Sequence, residues 1–368
     1  YAVHTQVIGR QHRTHQEIVR GVGFMTPAIF GLAGEFLTPM ERDFFRESQP
    51  FGFILFGRNV VDRAQLRALT DELRSLVGRQ NLPILIDQEG GRVARLQAPE
   101  WPSYPPAAVF GALYDRDPVS ALKAVTLNYE ALALDLAEVG ITVTCAPVLD
   151  IPVSGAHDVI GDRAFSGNPE HVEALGQACL RGLKAGGVEG VIKHIPGHGR
   201  SSVDSHLALP RVASAASELN RDLFPFRFLC DARMAMTAHI IYEDWDPANC
   251  ATLSSFVINQ IIRKDIGFSG LLMSDDLDMK ALDGDIGDLA AQSQAAGCDV
   301  VLNCWAKMAD MVSIAEKMTA PALLARQRMV AATDHLMLGS AIDTLRQRHD
   351  AIIAERDEVM SKAGHSTS

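Results

Sequence analysis

Apolar residues in this chain fall in short runs separated by longer amphipathic stretches. The short runs are Ala28 to Leu32, Gly52 to Phe56, Pro83 to Ile86, Ile141 to Ala146, Gly190 to Ile192, Met234 to Thr237, Leu271 to Met273 and Val300 to Leu302. Each has the length and continuity of a strand buried on both faces. Between them, Asp62 to Val77, Val119 to Glu138, Pro169 to Ala185, Ser217 to Cys230, Ser254 to Ile266 and Ile286 to Ala296 are long enough to be crossover helices. Strict alternation of strand and helix predicts a parallel sheet covered by helices. Eight repeats over roughly 310 residues predict an α/β fold of the (β/α)8 TIM type, and no G-x-G-x-x-G follows an early strand to suggest an open doubly wound sheet. The single barrel domain is placed at 25–348, closed by a last helix from Pro321 to Arg348. A polar tail, 349–368, is expected to drift into solvent. Residues 1–24, polar and His-rich ahead of Met25, read as a leader or expression remnant.

Composition narrows the class. With 368 residues, 47% of them hydrophobic and 21% charged, the chain can bury a large core. The formal net charge of -11 comes without a basic stripe, which argues against nucleic acid and against an anionic membrane surface as partners. A small neutral substrate fits better, and no obligate protein partner is implied. Six cysteines lack C-x-x-C spacing, so reduced buried thiols are expected in place of a disulfide framework or a zinc cage. The apolar stretch after Arg20 is broken by Pro27 and several glycines, unlike a signal peptide. No window reaches the ~20 apolar residues of a membrane span. The expected location is the cytoplasm.

The densest chemistry lies in Lys193-His194-Ile195-Pro196-Gly197-His198-Gly199 and, just beyond, Asp204-Ser205-His206. Pro196, Gly197 and Gly199 forbid a regular helix there, so these side chains belong to a shaped loop after a strand, where barrels build their sites. Other predicted strands end in Asp87-Gln88-Glu89-Gly90-Gly91-Arg92 with Arg95 beyond, in Asp150, in His239, in Ser274-Asp275-Asp276 and in Asn303. Each has a plainer reading. Asp87 can cap the next segment, Arg95 can be a surface cation, and His239 is equally a hydrogen-bonded histidine at the core's edge. Adjacent Asp275 and Asp276 point to opposite faces of an extended chain, so one is expected in the pocket and the other as a cap or structural acceptor. Asp204 and His206, two apart, share one side of an extended loop. They can form an Asp-His dyad that gives and takes a proton near neutral pH, or be two solvated loop residues.

Two other chemistries are open at this point. His194, His198, His206, Asp204, Asp87 and His239 could supply a metal-dependent hydrolase, but Pro196 and Gly197 keep His194 and His198 off one helix face and no H-x-H follows the first strand. Lys193 could form a Schiff base, yet nothing nearby is apolar enough to depress its pKa. No metal and no cofactor is expected.

Taken in order, Asp87-Gln-Glu-Gly-Gly-Arg-Val-Ala-Arg95, Ala146-Pro-Val-Leu-Asp150, Ile160-Gly-Asp-Arg163, Lys193-His-Ile-Pro-Gly-His-Gly with Asp204-Ser-His206, Ala238-His-Ile-Ile-Tyr242 and Ser274-Asp-Asp-Leu-Asp-Met279 resemble glycoside hydrolase family 3. Within it they are most similar to the single-domain bacterial β-N-acetylglucosaminidases, from about Pro27 to Leu338. The resemblance implies a retaining two-step displacement with Asp275 as nucleophile, His206 as proton carrier and Asp204 as its orienter. It implies sugar binding by Asp87, Arg95, Arg163, Lys193 and His194. It also implies a carbohydrate substrate, terminal β-linked GlcNAc released from anhydro-muropeptides in peptidoglycan recycling. Arg200-Ser201-Ser202 departs from the Asp-Thr that many relatives carry, which bears on the loop and leaves the dyad intact. Gly197 and Gly199 are expected as hinges of that loop. A rival mechanism would use the substrate's acetamido oxygen as nucleophile, assisted by Asp275 and Asp276. A barrel that binds cell-wall sugars without catalysis is the alternative of a different class.

Overall fold

The computed structural model describes residues 25–153, 155, 159–201, 209–336 and 342–364. Eight parallel strands close a barrel: β1 (Thr26–Gly31), β2 (Pro50–Leu55), β3 (Ile84–Ile86), β4 (Val143–Thr144), β5 (Glu189–Ile195), β7 (Met234–Thr237), β9 (Leu271–Asp276) and β10 (Val300–Asn303). Their order around the barrel is β1-β10-β9-β7-β5-β4-β3-β2. Every predicted strand is therefore present and neighbours its successor, as a (β/α)8 fold requires. Two short strands outside the barrel, β6 (Arg211–Val212) and β8 (Ile241–Tyr242), pair parallel to each other.

Strand period 2 divides the core into two compartments. Ile29, Leu85, Val143, Val191, Met234, Met236, Leu271, Met273, Val300 and Leu302 fill the barrel's interior. The alternate residues, among them Ala28, Phe30, Ile84, Ile86, Ile192, Ala235, Leu272 and Val301, pack outward against the helices. This is why the strands read as continuous apolar runs.

Helices occupy the predicted stretches. Pro169–Ala185 and Ile286–Ala296 match their expected limits, and Arg63–Val77 starts after Asp62, whose side chain caps the Gln65 amide. The stretch around Ser217 to Cys230 divides into Ala216–Asp222 and Phe224–Phe228, with Pro225 in the second piece. Val257–Ile266 has the wider π-helical winding.

The expectation for the C-terminal end is corrected. The predicted helix from Pro321 to Arg348 is two helices, Leu323–Thr333 and Ile342–Lys362. The first closes the strands' N-terminal end: Met329, Ala332 and Leu336 join the interior cluster, Arg328 reaches Asp299 ahead of β10, and His335 reaches Glu189 at the start of β5. The second runs through most of the supposed solvent tail and packs on Pro118–Glu138. Arg356 donates to Asn128 at 3.0 Å, Arg346 pairs with Glu138, and Met360 is buried. With one mouth of the barrel closed, the site can open only at the other. The expected leader, 1–24, lies outside the described residues.

Candidate active site

At the C-terminal ends of the strands lies a cavity of about 1220 Å³. Asp87, Arg95, Arg163, Lys193, His194 and Asp275 all line it, so six of the eight residues expected from sequence converge on one space. Asp204 and His206, the other two, lie outside the described residues. The loop that carries them leaves the described chain at buried Ser201 and re-enters it at Leu209.

One half of the rim, above β3, β4 and β5, is a network of paired charges. Lys193 is buried at the end of β5, its Nζ 2.6 Å from Glu89 Oε1 and 3.2 Å from Asp87 Oδ1. Arg163 grips the same Glu89 with two bonds of 2.8 Å, and Arg95 reaches Asp87 at 3.3 Å. Burial alone would favour the neutral form of each group, but the mutual attraction wins. It holds Asp87 and Glu89 below the usual carboxylate range and raises Lys193 and Arg163 above theirs. Lys193 therefore stays an ammonium ion, which removes the Schiff-base reading.

Glu89 is the residue to which sequence reasoning gave no role. Its signal was present: it stands two residues after Asp87, on the same side of an extended chain. Asp150 is similar. It is fully buried and receives the His194 Nδ1 at 2.6 Å, the His194 amide at 3.2 Å and the His198 amide at 2.6 Å. A carboxylate accepting from Nδ1 fixes the His194 ring, leaving Nε2 as its outward atom. Against burial, which would raise it, the nearby His194 holds Asp150 below its ordinary value. The His198 ring lies edge-on to His194, and burial followed by His194 lowers its pKa to about 4, so it is neutral at pH 7.

Asp275 ends β9. Its amide donates to Thr237 Oγ1 at 3.3 Å, and its Oδ1 accepts the Asp276 amide at 2.8 Å. Burial would push its carboxyl up, but His239 and then His194 outweigh burial and keep it below the ordinary value. His239 proves to be a wholly buried histidine, bonded through Nδ1 to Thr252 Oγ1 at 2.7 Å and through Nε2 to the Asp276 carbonyl at 3.0 Å. Thr252 in turn bonds Thr237 at 2.7 Å, so one chain of side chains steadies the end of β9.

Asp276 is the expected structural acceptor: its Oδ1 takes the Asp278 amide at 3.2 Å and the Cys304 amide at 3.0 Å. The expectation that only one of the pair reaches the pocket is corrected, since both residues line the cavity. Their environments separate them. Burial pushes Asp276 up to about 7, while Asp275 stays ionised.

Gly197 and Gly199 sit at the packed base of the loop. A Cβ on Gly199 would meet the Ile151 carbonyl oxygen at 1.9 Å, and Gly197, at φ +135, has its carbonyl held by the Tyr242 hydroxyl at 2.6 Å. The close approach to Ile151 requires glycine at 199. Among the described residues no group of three or more His, Cys, Asp or Glu is arranged to hold a metal ion, and no helix is long and apolar enough to cross a membrane.

The chain and its architecture are similar to known proteins. The profile of the glycosyl hydrolase family 3 N-terminal domain matches residues 40–337. A β-hexosaminidase of Alkalilimnicola ehrlichii is 42% identical over 284 residues, 76% of this chain and 80% of that protein. The crystal structure of native NagZ from Neisseria gonorrhoeae is 33% identical, with a TM-score of 0.82 over 93% of this chain and 98% of that one. A second structure of that enzyme, in complex with N-trifluoroacetyl-D-glucosamine, gives 34% identity and a TM-score of 0.81 over 93% and 99% of the two chains. Eight parallel strands, one open mouth lined by the motif residues and a family match across most of the chain lead to one assignment: the protein belongs to glycosyl hydrolase family 3, as a glycoside hydrolase of the β-N-acetylhexosaminidase group.

Proposed function

We propose that the protein is a retaining β-N-acetylglucosaminidase that removes a terminal β-linked GlcNAc by way of a covalent glycosyl-enzyme on Asp275. The observation that carries this reading is the carboxylate of Asp275, kept ionised near the end of β9 at a cavity whose opposite rim carries Arg95, Arg163 and Lys193. An oxocarbenium-like transition state needs an anion beneath the anomeric carbon and a proton donor at the leaving oxygen. Asp275 supplies the first. Asp276, protonated up to about pH 7, adds no second charge at lower pH and is the weaker nucleophile.

Asp87, Arg95, Arg163, Lys193 and His194 are assigned to the sugar's hydroxyls and acetamido group. The ion pairs among them fix their positions before substrate arrives, so little ordering is left for binding. His206, oriented by Asp204, is assigned the proton transfers. It would protonate the leaving oxygen in the first step and take a proton from water in the second. The anhydro-muropeptides of peptidoglycan recycling are the proposed natural source of the sugar, with the cytoplasm as the proposed site of action.

The test is turnover of a fluorogenic β-N-acetylglucosaminide against the matching β-glucoside, with EDTA present. Release that is fast and selective for the GlcNAc substrate is expected. Activity that disappears with EDTA and returns with a divalent metal would overturn the reading.

A further inference from the structure

The Asp275–Asp276 peptide is enclosed by a ring of hydrogen bonds that begins and ends on it. The Asp275 amide donates to Thr237 Oγ1 at 3.3 Å, Thr237 and Thr252 join through their hydroxyls at 2.7 Å, and Thr252 meets His239 Nδ1 at 2.7 Å. His239 Nε2 then reaches the Asp276 carbonyl at 3.0 Å, and the backbone from Asp276 back to Asp275 completes the circuit. Thr237 ends β7, His239 lies just beyond it, and Thr252 belongs to the turn Ala251–Leu253. All three side chains are wholly buried, and none is among the described residues lining the cavity.

Donors and acceptors run round this ring without conflict. A backbone amide only donates, so Thr237 Oγ1 accepts from Asp275 and its own hydrogen is directed to Thr252 Oγ1. A carbonyl only accepts, so His239 Nε2 must carry a hydrogen toward Asp276. Thr252 closes the remaining gap in either charge state of the imidazole. Beside a neutral ring its hydroxyl donates to Nδ1; beside a protonated ring it accepts from Nδ1 and turns its hydrogen to the Ala238 carbonyl at 3.3 Å. The peptide held in this way presents the Asp276 amide, which donates to Asp275 Oδ1 at 2.8 Å. Fixing the peptide plane therefore fixes the carboxylate, which would otherwise turn freely about its side-chain torsions.

We propose that His239 and Thr252 are positioning residues for the nucleophile: the ring they close holds the Asp275 carboxylate in the orientation from which it attacks the anomeric carbon. This inference rests on the covalent displacement proposed above and adds two residues that do not border the cavity. It also divides the site into two independent halves. The ion pairs that fix Arg163, Lys193 and His194, through Glu89, Asp87 and Asp150, share no member with the ring. Breaking the ring therefore leaves the sugar-binding rim in place and slows the chemical step, since an attacking atom displaced by about 1 Å can cost on the order of a hundredfold in rate.

The experiment compares wild type with Thr252→Val, Thr252→Ser and His239→Gln by two measurements. One is the Kd for GlcNAc by calorimetry; the other is kinact, the rate at which saturating 5-fluoro N-acetylglucosaminyl fluoride labels the enzyme. Valine keeps the outline of threonine but removes the hydroxyl that links Thr237 to His239. Thr252→Val is expected to lower kinact by about ten- to a hundredfold with the Kd within about twofold of wild type, and Thr252→Ser, which keeps the hydroxyl, to regain most of the rate. His239→Gln breaks the ring at a second point and is expected to show the same split. Labelling at the wild-type rate in Thr252→Val, or a serine variant as slow as the valine one, would overturn the proposal. So would loss of GlcNAc binding together with kinact in both Thr252→Val and His239→Gln, the outcome of a merely structural role. A wild type that forms no adduct would instead overturn the covalent reading on which the inference rests.

Discussion

Asp275 and Asp276 are chemically identical neighbours, and what separates them is what surrounds each carboxyl. Asp275 faces His239 and His194 and is kept ionised. Asp276 is buried against backbone amides, which offset only part of its desolvation, and rises from 3.8 to about 7. Between those two values the folded protein holds a proton on Asp276 that the unfolded chain has lost. Its contribution to stability is therefore complete below about pH 4 and is lost as pH rises through 7. Asparagine mimics the protonated acid and can still accept the Asp278 and Cys304 amides. Asp276→Asn is thus expected to remove this pH dependence, gaining on wild type by on the order of 2–4 kcal/mol between pH 4 and pH 8. Urea unfolding across that range measures it, and parallel curves for the two proteins would refute the assignment. The pair also marks a limit of the sequence. Alternation along a strand foretold different roles, yet both residues, the last two of β9, line the cavity.

At the scale of elements, the loop after β5 was legible from its composition, whereas the role of its glycines was not. Proline and glycine within Ile195 to Gly199 announce a shaped loop, and the two glycines read naturally as hinges. Gly199 instead lies against the Ile151 backbone, a contact across the fold that no local pattern encodes. Arg200 anchors the same stretch, bonding Asp222 at 2.5 Å and the Glu218 carbonyl at 3.1 Å. Gly199→Ala is expected to destabilise the protein by about 1–3 kcal/mol through overpacking and to displace His198 from Asp150. Thermal melting, with the His198 ring signals followed by NMR, checks this. A variant with unchanged Tm would show that the base of the loop yields freely. The strands were easier to read, because a strand buried on both faces leaves a continuous apolar run and needs no knowledge of its neighbours.

Over the whole molecule, the barrel brings to one mouth residues that lie far apart in sequence, from Asp87 to Asp275. Counting alternating strands and helices sufficed to foresee this, since a closed parallel barrel must gather its strand ends in a ring. It did not suffice for the C-terminal helix. Ile342–Lys362 has a mixed, mostly polar surface, and its few anchors, Leu345, Ile352, Arg356 and Met360, become recognisable only once Pro118–Glu138 is there to receive them. The central claim, that the ring of strand ends serves a covalent displacement at Asp275, has a direct test. A 5-fluoro N-acetylglucosaminyl fluoride slows breakdown of a glycosyl-enzyme enough for it to be digested and located by peptide mass spectrometry. The account predicts one sugar attached to Asp275 in wild type and none in Asp275→Asn. A sugar on any other residue, or turnover with no adduct and release of a cyclised acetamido product, would contradict it.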